Sequence, residues 1–421
     1  MKIYQEPAKQ LSVYGEFDVI VVGGGCAGFP AAIASARNGA KTLIIERFPY
    51  FGGTATASLM ANINGFRNQV KPDELQTTKG IGEEVILKLM EIDGIGRSPY
   101  PCASVHSDTK GDLSYAYAID TEKFKYITLK MVKDAGVHIL FHTWFSDVII
   151  DGDHLLGIII ENKSGRQAVY GKVIIDASGD GDVAYKAGVP FWHTKKDEAP
   201  RLNDGLMYKV AGVSENKSNL GCQYKDTTVL WGPASDSMNG ADGYELSEEE
   251  VNVRLNVFAD FEEKKAKNLE LKSAFIIDTG ALIGVRQTRF IEGIYKITAE
   301  DVIEGKSFED SIAMAVNPII HYYGYRRYLE HEGYQIPYRC LLPQHVTGLL
   351  IAGRCMSSDQ QAYESWRAMA HIMPIGEAAG TAAALAIADN VEPAELDVKK
   401  LQAQLIKQGA EIGQGIKKKV I

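Results

Sequence analysis

One short run constrains this chain more than any other: Asp18-Val-Ile-Val-Val-Gly23-Gly24-Gly25-Cys26-Ala27-Gly28, an apolar strand sequence that passes without a spacer into G-x-G-x-x-G. Gly28 to Asn38 is small and alanine-rich, as a closely packed helix would be, and Lys41 to Ile45 is apolar again. Strand, tight turn, helix and strand make a βαβ opening. Glu46 comes at the end of the second strand, 18 residues after Gly28, near the spacing expected of the acidic residue in a dinucleotide fingerprint. Each part has a physical task. Gly23 allows the tight turn, Gly25 lets backbone approach a pyrophosphate, and Gly28 lets the helix lie close on the sheet, with Cys26 and Ala27 small enough to complete the turn. The helix start offers free N–H groups and a positive dipole end to phosphate, and Glu46 would accept hydrogen bonds from a ribose. The bare glycine pattern serves equally well as a turn without ligand; strand, helix and acid together point to a bound dinucleotide.

The residues just past Glu46 separate a flavin from a nicotinamide dinucleotide. Arg47 and the run Phe51-Gly52-Gly53-Thr54-Ala55-Thr56 supply a second stretch of small residues and hydroxyls. A flavin dinucleotide continues past its pyrophosphate through a ribityl chain to a large ring, so a second loop along that path is useful, and a nicotinamide site has less need of one.

Four segments together, GGGCAG with Glu46, FGGTAT, VIIDASGDGDVAYKAG (Val173 to Gly188) and GLLIAGRCMSSDQQAYESWRAMAHIMPIGEAAGTAAALA (Gly348 to Ala386), resemble the FAD-dependent oxidoreductases of the glutathione-reductase-like superfamily. Within it, the group similar to fumarate-reductase flavoproteins looks closest. The resemblance implies FAD as cofactor and an α/β fold: a three-layer Rossmann-type FAD-binding domain with a parallel sheet and a small β meander, carrying an inserted α+β substrate domain. It further implies that Ala177, Ser178 and Gly179 stand near the adenine half, with Ser178 where the family usually has Thr. Phe145 matches a position whose backbone meets the adenine, and Gly353 and Arg354 match the strand end near the ribityl chain. A reduced flavin carries negative charge around N1, which the N-terminus of a helix would stabilise, and Gly376-Glu377-Ala378-Ala379-Gly380 is read as placing Gly376 and Ala379 at the ring. Close packing of that helix on the sheet explains the same small residues.

Composition narrows the partners. Lys plus Arg is 45 and Asp plus Glu 54, a net charge of −9, which disfavours a phosphate-tracking surface, so no nucleic acid is expected. Cys26, Cys102, Cys222, Cys340 and Cys355 form no C-x-x-C pair and no zinc spacing, so neither a flavin–disulfide relay nor a metal site is expected, and a reduced, cytoplasmic protein fits. The first residues show no apolar export segment, and the longest apolar stretch, Ala378 to Ala388, falls short of the ~18 residues of a membrane span.

Along the chain, a helix is expected over about 81–92, a loop to about 112, a helix from an N-cap at Asp120 to about Asp134, and a meander of Val137 to Phe141, Asp147 to Ile150 and Leu155 to Glu161. Ser247 and Glu250 form a capping box ahead of a charged helix ending near Lys267. The expected division is 1–190 and 336–395 for the FAD-binding domain, 191–335 for the insert, and 396–421 for a terminal helix and lysine-rich tail.

With no Ser-His-Asp order and no phosphate-transfer loop, the hard chemistry belongs to the flavin, and the protein orients substrate and handles protons. Candidates are His321, in the aromatic and basic cluster Asn317 to Arg327, then Arg339, and above them Arg367 and His371, which lie between the Gly353 turn and the Gly376 helix. The family usually has an Arg at the place of Arg367. His345 ranks with Arg339, and Arg286 and Arg289 match two arginines of a family segment without a defined role. The expected activity is hydride exchange between a small organic substrate and flavin N5. The alternatives are reduction of activated C=C bonds, as in fumarate reductases, and a flavin-binding module without catalysis. A small-molecule substrate is the expected partner, no membrane partner is expected, and homo-oligomerisation stays open.

Overall fold

The computed structural model describes residues 3–68, 75–99, 116–193, 202–214, 220–235, 238–320 and 326–414. Strand β1 (Ser12–Val22) leads into helix α1 (Gly28–Arg37) and strand β2 (Thr42–Ile45). Helices α2 (Ile81–Glu91) and α3 (Thr121–Asp134) come next, then β3 (His138–Leu140), β4 (Trp144–Asp151), β5 (His154–Asn162) and β6 (Gly165–Asp176). After them are β7 (Asp204–Ala211), β8 (Cys222–Tyr224), β9 (Thr227–Ser235), α4 (Gly243–Lys267) and β10 (Phe275–Thr279). The chain returns through β11 (Leu349–Ile351), α5 (Gln360–Trp366), α6 (Met369–Asp389) and α7 (Val398–Lys407).

The main sheet runs β3-β2-β1-β6-β5-β4, with β11 paired to the end of β6. Strands β3, β2, β1, β6 and β11 are parallel, and β5 and β4 fold back antiparallel. From β1 the chain first steps to β2 on one side, and β6 fills the other side later. That reversal next to β1 opens a crevice at the carboxyl ends of the strands, where open α/β sheets bind ligands. Val19, Ile20 and Val21 on β1 are wholly buried because both faces of this strand are covered.

Several expectations need correction. Val137 to Phe141 does not join the meander: β3 pairs with β2 at the opposite edge, and the meander is β4-β5-β6. Helix α4 starts before the Ser247 capping box, because the Asp242 carboxylate accepts from the amides of Tyr244 and Glu245 and caps it earlier. The loop expected to residue 112 and the tail from Ile416 lie mostly outside the described residues. Residues between Asp204 and Thr279 build a sheet of their own, β8-β9-β7-β10, with α4 packed on one face.

Helix α6 is the largest departure: it begins at Met369, seven residues before Gly376, and contains Pro374. A proline in a helix leaves the carbonyl four residues earlier without its amide partner. Here the Thr78 hydroxyl donates to that carbonyl, Ala370 O, at 3.0 Å, so the helix continues through the proline. Thr78→Val should therefore lower stability by about 1 kcal/mol in urea unfolding, the cost of one buried hydrogen bond. By length and composition α6 could cross a membrane, yet 89% of its most apolar window is buried inside the protein. It is the core helix.

Candidate functional site

Every segment singled out for a dinucleotide meets at the carboxyl ends of the parallel strands. Gly23, at the end of β1, adopts φ +97°, and a methyl group on it would stand 2.6 Å from the Ala177 carbonyl oxygen. Gly28 is tighter still, since its methyl would lie 1.8 Å from Gly23 O. The second glycine loop lies on the first: Gly52 N donates to Gly24 O at 2.9 Å, and the Cys26 thiol donates to Gly52 O at 3.4 Å. Burial pushes the Cys26 thiol up to about 12, which keeps it protonated and bars thiolate chemistry. A methyl on Gly53 would stand 2.9 Å from the Gly25 Cα.

Gly25 is different. A Cβ built on it meets nothing nearer than 3.9 Å, so its backbone faces open space. The adjoining start of α1 has Ala27 as its N-cap and no side-chain cap; Phe29 N turns back to Gly25 O and Pro30 carries no N–H, so the amides that could meet a ligand are those of the turn itself, up to Gly28. A cradle of bare backbone amides beside an uncapped helix start fits the diphosphate of FAD, and no bulky side chain covers Gly25.

Glu46 already has work to do. Its two oxygens accept from Gly24 N at 2.7 Å and Phe48 N at 2.9 Å, and burial raises its carboxyl above the ordinary range. It thus holds the glycine turn in shape, and its remaining lone pairs are what a ribose could use. Arg47 stacks over Phe48 and Trp144, at 5.2 and 5.3 Å, next to Phe145 on β4. Thr143 N donates to Glu46 O, which brings the Thr143 to Phe145 segment alongside the acid. Thr54 is exposed on the second loop.

On the other side of β1, the hub is Asp176, a residue the sequence reading passed over. It is wholly buried and accepts from Ser178 Oγ at 2.6 Å, Ser178 N at 3.1 Å and Ala184 N at 3.0 Å. Ser178 Oγ also receives Asp182 N, so its hydroxyl is spent on the turn through Ala177, Ser178 and Gly179. A serine suffices for both bonds, because the hydroxyl alone makes them. Gly353, φ +113°, approaches Ala27, while Arg354 donates to Gly179 O at 3.2 Å and also grips Asp180 and Val285 O. Arg354 is therefore a clasp between the Gly179 turn and the 284–288 segment. Arg289 has a related structural post, donating to Asp180 O and Asp182 over the Tyr185 ring.

The structure gives Gly376 and Ala379 a packing role. A methyl on Gly376 would lie 2.0 Å from Ala27 O, and one on Gly380 2.0 Å from Ala31 O, so α6 meets α1 backbone to backbone. The N-terminal amides of α6 are those near Met369, where the helix starts, and not those near Gly376.

Of the substrate-side candidates, Arg367 and His371 come together at the junction of α5 and α6. His371 is fully buried, its Nε2 accepts from Val316 N at 3.3 Å, and burial drives it down to about 4, so the ring is neutral at pH 7. Arg367 is half-buried over the Tyr363 ring at 5.8 Å, with its Nε buried and without a partner. Arg339 does not join them: it forms a forked ion pair with Asp310, at 2.9 and 3.2 Å, over Tyr295. His321 lies outside the described residues. Sequence reasoning missed Glu364, which is one turn before Arg367 on α5, buried, and pushed up to about 7 by that burial. Its Oε1 accepts from Gln360 Nε2 at 3.3 Å, and the same amide donates to Gln287 at 2.9 Å, two residues beyond the carbonyl that Arg354 grips. No metal-ligating cluster is found among the described residues.

The FAD dependent oxidoreductase family model matches residues 18–269 and 219–405. Thiamine thiazole synthase of Methanococcus vannielii is 32% identical over 39% of this chain and 56% of that protein. Digeranylgeranylglycerophospholipid reductase of Methanocaldococcus jannaschii is 30% identical over 41% of each. The chain spans about half the length of the curated relatives it matches. A geranylgeranyl bacteriochlorophyll reductase-like protein of Thermoplasma acidophilum aligns over 94% of this chain and 84% of that one, with a TM-score of 0.51 and 16% identity, a likeness of fold alone. The family match spans both the glycine cradle and the returning β11 to α6 segment beside it, and on that basis the chain belongs to the FAD dependent oxidoreductase family.

Proposed function

We propose that this enzyme exchanges a hydride between a small organic substrate and FAD, with the substrate seated at the α5–α6 junction. FAD, held at its diphosphate by the Gly25 cradle and at its ribose by Glu46, supplies the hydride-accepting or hydride-donating position. The observation that carries the reading is the chain of contacts from the Gly353 turn through Arg354, Val285, Gln287 and Gln360 to Glu364. It joins the cofactor cradle to a buried carboxyl whose pKa near 7 suits proton transfer at neutral pH.

Three residues then divide the work. Glu364 takes or gives the proton that accompanies the hydride. Arg367, a permanent cation with a buried donor lacking a partner, orients an electronegative substrate group. His371 is a poor base at pH 7 because burial disfavours its cation, so it acts by shape and hydrogen bonding at the first turn of α6. The four cysteines among the described residues are free and buried, in keeping with a reducing, cytoplasmic setting.

The second reading is the reductive direction, reduction of activated C=C bonds, and one matched relative is named a reductase. Glu364 separates the two. As a base in substrate oxidation it must be ionised, so the rate rises as pH passes about 7; as an acid in substrate reduction it must be protonated, so the rate falls there. Anaerobic mixing of the FAD-loaded enzyme with hydroxy acids, amines, sugars and unsaturated acids, monitored by the flavin's visible absorbance, finds the substrate class. With a substrate in hand, Glu364→Gln is expected to abolish the inflection near pH 7, and Arg367→Ala to raise KM about tenfold, near 1.4 kcal/mol. An unchanged pH profile in Glu364→Gln would remove Glu364 from the reaction.

A further inference from the structure

Gln360, the first residue of α5, donates from its side-chain nitrogen to two acceptors, Gln287 Oε1 at 2.9 Å and Glu364 Oε1 at 3.3 Å. The two ends of a carboxamide nearly match in shape, so the direction of such bonds has to be derived from a partner with one role only. Leu202 is that partner. Its backbone N–H, which can only donate, meets Gln287 Oε1 at 3.4 Å, so it is the oxygen of Gln287 that faces this side. That oxygen takes one hydrogen of the Gln360 NH2, and the other is left pointing at Glu364. Gln287 is buried, and the backbone on either side of it is pinned. Arg354 grips Val285 O, Arg286 N donates to Asp204, the Tyr363 hydroxyl donates to Arg286 O, and the Thr288 hydroxyl donates to Asp180 at 2.9 Å. The amide at the head of α5 is therefore aimed by a segment that has little freedom to turn.

We infer that Gln360 is a positioning residue, held by Gln287 so that it always offers Glu364 a donor and thereby favours the carboxylate over the carboxylic acid. A hydrogen bond given to the charged form lowers a carboxyl's proton affinity, and an amide turned the other way would raise it. The bond works against burial, which pushes Glu364 up to about 7. Of the charges on α5 itself, Arg367 also favours the anion, while Asp359 at the N-cap opposes it. The helix Ala299–Glu304 packs against α5; there Asp301 is committed to Lys306 and Tyr295, and Glu300 and Glu304 are exposed. The strand Ile319–Ile320, also against α5, brings no titratable group. On the side of residues 285–288, Arg286 is the cation, Asp180 is paired with Arg354, and Asp204 holds the Arg286 amide. Leu202 stands two residues before β7, so the entry to the second sheet and the buried carboxyl are joined by three hydrogen bonds. The catalytic consequence rests on the proton role proposed for Glu364; the hydrogen-bond chain does not.

Infrared difference spectra of the FAD-loaded enzyme, titrated across neutral pH, read the C=O stretch of protonated carboxyls without any substrate. The band absent from Glu364→Gln belongs to Glu364, which separates it from Glu377 and Asp182, two other carboxyls raised by burial. Gln360→Leu, at a half-buried position with FAD content as the check on folding, should move the midpoint of that band up by about one pH unit. That is about tenfold in proton affinity, the scale of one lost hydrogen bond to a charged group. Gln287→Leu, acting through Gln360, should raise the midpoint too, and Gln360→Lys, which donates and cannot accept, should lower it. A midpoint that stays in place in Gln360→Leu or in Gln287→Leu, or that rises in Gln360→Lys, would overturn the proposal, as would a Glu364 band missing at every pH. With a substrate from the flavin screen, the pH–rate profile should follow the infrared midpoint. A profile that stays put while the midpoint moves would leave Gln360 its role and take the proton step away from Glu364.

Discussion

Replacing Gly25 with valine is expected to give a folded protein that no longer retains FAD. The nearest atom to a Cβ on Gly25 is Gly53 Cα at 3.9 Å, an ordinary contact, and Gly25 does not need a positive φ. Folding therefore has little reason to resist the side chain, and stability should stay within about 1 kcal/mol, since losing a glycine also restricts the unfolded chain. The cofactor has every reason to resist it. The isopropyl group would cover the open backbone at Gly25 and keep a diphosphate from the amides of the turn that leads into α1. Losing two charge-assisted hydrogen bonds, at about 1.5 to 3 kcal/mol each, weakens binding on the order of 100-fold or more. Gly28→Ala makes the contrast: its methyl would lie 1.8 Å from Gly23 O, and backbone against backbone cannot yield cheaply. That variant should lose about 3 kcal/mol or more in urea unfolding of the FAD-free protein, on top of any loss of cofactor. Titrating FAD into each purified variant, with unfolding curves in parallel, separates the two effects. A Gly25→Val protein that binds FAD like the wild type would show that the diphosphate does not sit there.

The glycine turn was legible because its constraints are local. Gly23, Gly28 and Glu46 are fixed by one strand, one turn and one helix, and the structure brings all three to that turn, with Glu46 holding the amide of Gly24. Asp176 was not legible. An aspartate at the end of an apolar strand reads as a boundary, and only the fold shows that Ser178 and Ala184 return to it. The true start of α6 was hidden for the opposite reason: Pro374 is a strong local signal against a helix, and the compensating donor, Thr78, is almost 300 residues away in sequence. Gly376 and Ala379 were read toward the flavin ring or as a closely packed helix; the structure shows the packing directly, with Gly376 and Gly380, four residues apart, bringing α6 onto the α1 backbone. Arg339 and Arg367 look alike in sequence. Asp310 occupies the first and leaves the second at the candidate site, a difference set by tertiary neighbours alone. Glu364 escaped notice because an acid in a short helix is ordinary until the fold buries it.

Stability should also fall as pH rises through neutrality, with Glu377 on α6 as a principal cause. Its carboxyl is 1% exposed, accepts from Ile81 N at 2.8 Å and Gln408 Nε2 at 3.0 Å, and so fastens the start of α2 and the end of α7 to the core helix. Arg37 is the nearby cation, but it is committed to Glu84 through two hydrogen bonds of 2.8 and 3.1 Å. Burial therefore dominates and pushes Glu377 from 4.5 up to about 7. Because the folded state holds this proton more tightly than the unfolded state, the group's contribution is complete below about pH 4.5 and is lost as pH climbs to about 7. At about 1.4 kcal/mol per pH unit, the loss is roughly 3 kcal/mol. Glu377→Gln cannot titrate, and it offers one acceptor where two donors arrive, so it should be about 1 kcal/mol less stable than wild type at pH 5. By pH 8 the order should reverse, because wild type then carries a buried anion and the variant does not. Urea unfolding of both FAD-loaded proteins across this range tests the claim, since other buried acids, Asp176 and Glu364 among them, contribute equally to the two curves. Parallel curves would mean that Glu377 keeps its charge at neutral pH, drawn from Arg37, and that the α2–α6 contact is an ion-pair network instead of a neutral hydrogen-bonded joint.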